Sequence, residues 1–283
     1  MFKVHVNAYS VGHYFNDLCA CMWFVYLTWY LIKIVKLPNH IAGLAVFSGQ
    51  ITDGICTPLV GLLSDKYNTR CGKRFPWYVL GTFIVLPCFF GIFSYLPFVN
   101  DYVEIDGKMV LTDEPFQESW YIILPALFNV GWAMVQISHM AIVNSLTHSN
   151  RKRDKMVNQR NGFTYMANIT VLSAALVVFS FVNNGKDQFR ILLAMVLIFG
   201  FCTSSFFMCT IREPKLTKMA LELERDYKIK TMGEEALKIE DEAKAKENVG
   251  GKSPTDWLKD GTFYVHGIVY MVTRIAVNVT MTV

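Results

Sequence analysis

Trp77-Tyr-Val-Leu-Gly-Thr-Phe-Ile-Val-Leu-Pro-Cys-Phe-Phe-Gly-Ile-Phe-Ser-Tyr-Leu-Pro-Phe-Val99 runs without one Asp, Glu, Lys, Arg or His. A bilayer core about 30 Å thick is crossed by a helix of ~20 mostly apolar residues, and this stretch is long enough. A helix on the surface of a soluble protein is apolar along one stripe, whereas this one is apolar around its whole circumference. Blocks of the same kind lie on either side: Tyr9–Ile32, Ile41–Leu63, Ser119–Leu146, Gly162–Val182 and Phe189–Ile211, with a weaker one at Phe263–Val283. The expected fold class is therefore an all-α membrane protein of six spans followed by a seventh. The 53% hydrophobic content agrees, as does a mean hydropathy of +0.30.

The first block is too long for a signal peptide and carries Asp17 within it. The seven cysteines fall mostly inside apolar blocks with no zinc or disulfide spacing, so they read as small packing residues. A net charge of +4 hides a strong asymmetry between loops. Lys66, Arg70, Lys73 and Arg74 follow span two, and Arg151, Lys152, Arg153, Lys155 and Arg160 follow span four. The loop after span three is acidic, with Asp101, Glu104, Asp106, Asp113, Glu114 and Glu118. By the positive-inside rule the basic hinges and the N-terminus face the cytosol. The positive charge is thus a topological signal, and no nucleic-acid partner is implied. No nucleophile–base pair or metal-ligand cluster stands out, so neither an enzyme nor a cofactor is expected. Arg212–Lys259 mixes charges of both signs and reads as a cytosolic linker, helical over Thr217–Glu247. The organisation expected is a bundle over 1–211, a linker over 212–259 and a seventh helix over 260–283.

Polar side chains inside a membrane face the bundle interior or an aqueous cavity, because exposing them to lipid is costly. His13, Asn16 and Asp17 gather near one face of span one, and Gln50, Asp53 and Thr57 on span two. Span four offers Asn129, Trp132, Gln136 and His139, and span five Asn161, Thr164 and Asn168. Spans three and six carry no ionisable acid or base and read as able to face lipid. A solute pathway between spans one, two, four and five is the consequence. Asn, Gln, Ser and Thr also serve as interhelical glue, and for His139 a structural hydrogen bond is the expectation over a proton relay.

The hinge Gly61-Leu-Leu-Ser-Asp65-Lys66-Tyr-Asn-Thr-Arg70-Cys-Gly72-Lys73-Arg74 resembles the loop motif of the major facilitator superfamily. Arg70-Cys-Gly-Lys-Arg-Phe-Pro-Trp77 resembles its glycoside–pentoside–hexuronide:cation symporter branch. The resemblance implies a charge latch of Asp65, Arg70, Lys73, Arg74 and Arg160 that holds the cytosolic side closed. It also implies a cation site at Asp17 and Asp53. Thr57 and Gln136 stand where that branch often has further acids, which favours a proton or a solute ammonium over sodium.

A narrower resemblance is carried by Gly12-His-Tyr-Phe-Asn16-Asp17, Gly49-Gln-Ile-Thr-Asp53-Gly, Gly131-Trp-Ala-Met-Val-Gln136-Ile-Ser-His139, Ala167-Asn168-Ile-Thr and Thr273-Arg274-Ile-Ala-Val-Asn278. These are similar to the major facilitator superfamily domain-containing protein twelve group. The resemblance implies secondary transport of a small polar solute, cysteine in that group, across a lysosomal or related endomembrane, with the plasma membrane as the alternative site. Asp17 and Asp53 would bind the coupling ion or the solute ammonium. His13, Asn16, Thr57, Gln136, His139 and Asn168 would complete the site, and Arg274 would receive a carboxylate. Such a transporter has about twelve helices in two six-helix halves, each made of two three-helix inverted repeats, so this chain reads as the first half plus one helix. Two alternatives stand beside this reading: a sugar:cation symporter, and a non-transporting half-bundle that acts as an interaction or regulatory protein.

Overall fold

The computed structural model describes residues 2–105, 108–147 and 149–233, and then 259, 261–262, 264–269 and 272–273. It divides into two compact units, residues 1–218 and 219–283. The first unit holds six helical spans long and apolar enough to cross a membrane. Span one is α1 (Phe2–Val11) and α2 (Tyr14–Trp29), closed by a π-helical turn over Tyr30–Val35. Spans two to six are α3 (Asn39–Lys66), α4 (Phe75–Phe93), α5 (Glu114–Leu146), α6 (Asn150–Phe181) and α7 (Gly185–Thr210). A further helix, α8 (Glu213–Met232), begins in the first unit and ends in the second. It starts four residues before the helix expected from charge alternation, with Pro214 in its first turn, where the missing N–H costs nothing. The rest of the linker and most of the expected seventh helix, Arg274 included, lie outside the described residues; 264–269 are helical.

The caps explain several boundaries. Asp113 accepts the Phe116 N–H at 3.0 Å to start α5, and the Asn184 side chain accepts the Lys186 N–H at 3.1 Å to start α7. The acidic loop contains a two-stranded antiparallel hairpin, β1 (Tyr102–Ile105) with β2 (Lys108–Leu111). The sequence signal was present, since Asp106-Gly107 is a turn dipeptide between two short apolar-rich runs.

Lipid is as apolar as leucine, so these helices are held by close packing and interhelical hydrogen bonds rather than by burial from water. α4 and α5 touch backbone to backbone: a Cβ on Gly81 would sit 2.7 Å from the Gly131 carbonyl oxygen, and one on Gly131 would sit 2.9 Å from that of Gly81. Bulk from one helix enters notches of another elsewhere, Phe15 of α2 against Gly200 of α7 and Phe207 of α7 against Gly12. The packing follows a pattern: span four lies against spans two and three, and span one against spans five and six. The helix that opens each three-helix set thus packs on the other two helices of the opposite set, as two related repeats would.

Spans three and six, expected to be able to face lipid, do expose apolar side chains, among them Phe83 and Phe90 on α4 and Ile198 and Phe201 on α7; α3 and α6, spans two and five, are the least buried of the six. Exposed Phe47, Ile51 and Ile55 line α3, and Ile169, Leu176 and Phe181 line α6. The other faces of α4 and α7 pack closely, Gly81 of α4 on Gly131 of α5 and Gly200 of α7 on Phe15 of α2.

Candidate functional site

The site begins with a break in span one. Helical bonding lapses at Gly12-His13, where the Gly12 N–H still reaches the Ala8 and Tyr9 carbonyls at 3.0 and 3.1 Å. Backbone groups freed at such a break must find partners within protein. The Tyr78 hydroxyl of α4 donates to the Gly12 carbonyl at 2.6 Å. His139 of α5 donates from Nε2 to the Tyr9 carbonyl at 2.8 Å and stacks on the Tyr9 ring at 4.5 Å. His139 thus makes one hydrogen bond to the broken span, and Tyr9 and Tyr78 are partners that sequence reading missed.

Next to the break lies a buried polar cluster. His13, Asn16 and Asp17 are 3%, 2% and 6% exposed. One turn of helix places His13 Nδ1 2.9 Å from Asp17 Oδ1, and Thr164 of α6 donates to Asp17 Oδ2 at 3.0 Å. Both carboxylate oxygens are thus engaged. Asn16 Nδ2 approaches His13 Nε2 at 3.4 Å. Arg160 Nη2, also from α6, lies 3.2 and 3.4 Å from the two ring nitrogens of His13. The network fits a His13 that donates from Nδ1 to Asp17 and accepts at Nε2. Arg160 was expected at the hinge latch; the structure places it in the Asp17 cluster instead, where its positive charge faces the acid across His13. His139 joins through a ring contact of 5.2 Å with His13. Within this cluster Asn16 Oδ1, His139 Nδ1 and Arg160 Nε are buried atoms with no protein partner.

The remaining candidates lie apart from that network. Asp53 is half-buried on α3 and accepts from Thr57 one turn later at 3.2 Å. Gln136 accepts from Trp132 Nε1 at 2.7 Å on the same helix. Asn168 contributes its carbonyl oxygen to Cys21 Sγ at 4.0 Å. At the hinge, Arg74 bonds to Asp65 and to the Ser64 hydroxyl, while Arg70 and Lys73 are exposed. Of the hinge bases, Asp65 thus pairs with Arg74. Asp65 itself is 68% exposed at its side chain and Arg74 only 14%, so the pair stands at the edge of water.

A helical six-span bundle with a polar core and this hinge has a matching family. The sequence profile of the MFS/sugar transport protein family matches residues 8–236. The chain belongs to that family. Among individual relatives, major facilitator superfamily domain-containing protein 12 of horse is 32% identical over 97% of this chain and 57% of its own length. The human protein of that name is also 32% identical over the same shares. The sodium-dependent lysophosphatidylcholine symporter 1-B of zebrafish is 26% identical over 54% of the chain and 26% of its own length. The chain therefore spans little more than half the length of the relatives it matches along nearly its whole extent. The motifs read as family resemblance, from Gly12-His13 to Ala167-Asn168, lie within the matched residues.

Proposed function

We propose that this chain is the first half of a secondary transporter that carries a small polar solute, cysteine foremost, by alternating access. The observation that carries the reading is the cluster of His13, Asn16, Asp17, Arg160 and Thr164, drawn from two spans and sealed by His139. Within it three buried polar atoms lack protein partners. Buried donors and acceptors in folded proteins are nearly always satisfied, so a group of unsatisfied ones marks where a ligand or water belongs. The mix suits an amino acid: Asn16 Oδ1 and His139 Nδ1 accept from an ammonium, and Arg160 donates to a carboxylate. Asp53 with Thr57 supplies the second acid, and Gln136, Asn168 and Arg274 complete the candidate set.

The orientation places the hinge on the cytosolic side, with bundle, linker and seventh helix at 1–211, 212–259 and 260–283, and the membrane is lysosomal or a related endomembrane. Arg160 beside His13 sets a fixed cation where a sodium ion would have to approach Asp17, which favours a proton or the solute's own ammonium as the charge that moves. The reading is of a transporter and not an enzyme.

Uptake of labelled cysteine into vesicles containing the protein tests this. Saturable uptake, insensitive to sodium and lost in Asp53→Asn, is the expected result. Stimulation by sodium with competition by glycosides would replace it with the sugar:cation symporter. Absence of both flux and binding would leave an interaction module.

A further inference from the structure

Glu213 stands at the first residue of α8, just beyond span six, and is only 3% exposed. Its Oε2 accepts two backbone N–H bonds, from Arg74 and from Phe75, each at 2.9 Å. These are the N-cap and first residues of α4, whose N–H groups have no carbonyl within their own helix to bond. They also lie at the positive end of the helix dipole, where a carboxylate is favoured.

The hinge turn is shaped around this oxygen. Thr69 and Gly72 close the turn with reciprocal backbone bonds of 3.1 and 3.0 Å, and Gly72 takes φ +114°, open in practice to glycine. A Cβ at Gly72 would come within 2.2 Å of Oε2. Arg74 is consequently held twice. Its guanidinium bonds to the exposed Asp65 and to Ser64, and its backbone bonds to the buried Glu213.

We propose that Glu213 is the buried acid of the gate: it fastens the end of span six to the start of span three, and it leaves this seat when the hinge end of the bundle opens. The proposal rests on the transporter reading only in requiring that this end open and close. Glu213 is a positioning residue that acts through the first turn of α4. From that turn the contacts run on to the polar cluster. Phe75 stacks near Phe207 at 6.4 Å, Tyr78 meets Phe207 at 4.4 Å, and Phe207 meets His139 at 5.3 Å. A displaced α4 start would therefore disturb both side chains that satisfy the broken span, Tyr78 and His139. Asp65, open to water, gives little hold by comparison.

The test uses the full chain in lipid nanodiscs and two readouts that involve no solute. One is hydrogen exchange of the Arg74 and Phe75 amides. The other is maleimide labelling of Ser138→Cys, a buried position beside His139, with the native cysteines replaced. Glu213→Ala is expected to speed both by about tenfold, equivalent to about 1.4 kcal/mol, while Glu222→Ala on exposed α8 surface changes neither. Glu213→Gln, which keeps an acceptor without the charge, should fall between. If Glu213→Ala fails to fold, Gly72→Ala presses on the carboxylate from the other side and is expected to give the same two accelerations. Unchanged exchange in whichever of these variants folds overturns the clasp. Faster exchange with unchanged Ser138→Cys labelling overturns its role in the gate. Absence of cysteine transport would refute the proposed function and leave both readouts standing.

Discussion

Asp17 and Asp53 are both acids on a polar face of a membrane span, yet their surroundings differ in kind. Asp17 is 6% exposed, with both oxygens bonded and Arg160 facing it across His13. Asp53 is half-buried on α3, the least buried span, and bonds to Thr57 on its own helix. The first acid is built into the bundle; the second is presented by it. A fully buried charge bonded to a second helix holds helices in place as well as meeting a solute, whereas a half-buried one nearer solvent contributes less.

The largest effect should come from Asp17→Ala, which leaves Arg160 facing no acid across His13. Removing one member of a buried charged network costs about 3 kcal/mol, read as a fall in melting temperature in detergent together with loss of uptake. Gly49→Ala should come next. A Cβ there would lie 2.5 Å from Asn129 Nδ2 and 2.8 Å from the Trp23 ring, so α3, and Asp53 one turn on, would be pushed outward. Overpacking of this kind costs about 2 kcal/mol, measured by the same melt. Asp53→Ala should change stability by less than about 1 kcal/mol while abolishing uptake as completely as Asp17→Ala. Equal destabilisation by the two acid variants would erase the distinction. Smallest of all, Asp65→Asn should alter stability by about 0.5 kcal/mol and show its effect as faster maleimide labelling of Ser138→Cys. No change in that labelling would remove Asp65 from the latch.

Apolar run length made the six spans legible, because a bilayer imposes one length on every crossing helix. Polar residues inside those runs likewise exposed His13, Asn16, Asp17 and Asp53. What could not be read was which faces meet. Arg160 sits in a basic stretch next to a loop, and only the approach of α6 to α2 carries it to His13. The low charge of α4 and α7 fitted lipid and packing alike, and both occur: Phe83 and Ile198 are exposed, while Gly81 packs on Gly131. Glu213 looked like one of many linker charges; its position just after span six and before Pro214 was the one local hint. The break at Gly12-His13 was hidden by an apolar run that continued through it.

The comparison of the two acids is tested most directly by equilibrium binding of labelled cysteine to the protein in nanodiscs, with the melting temperature of each variant measured on the same samples. Saturable binding by the native chain is predicted, together with its loss in Asp53→Asn at an unchanged melting temperature and its loss in Asp17→Ala at a lowered one. Undiminished binding in both variants would contradict the assignment of these residues to a solute site.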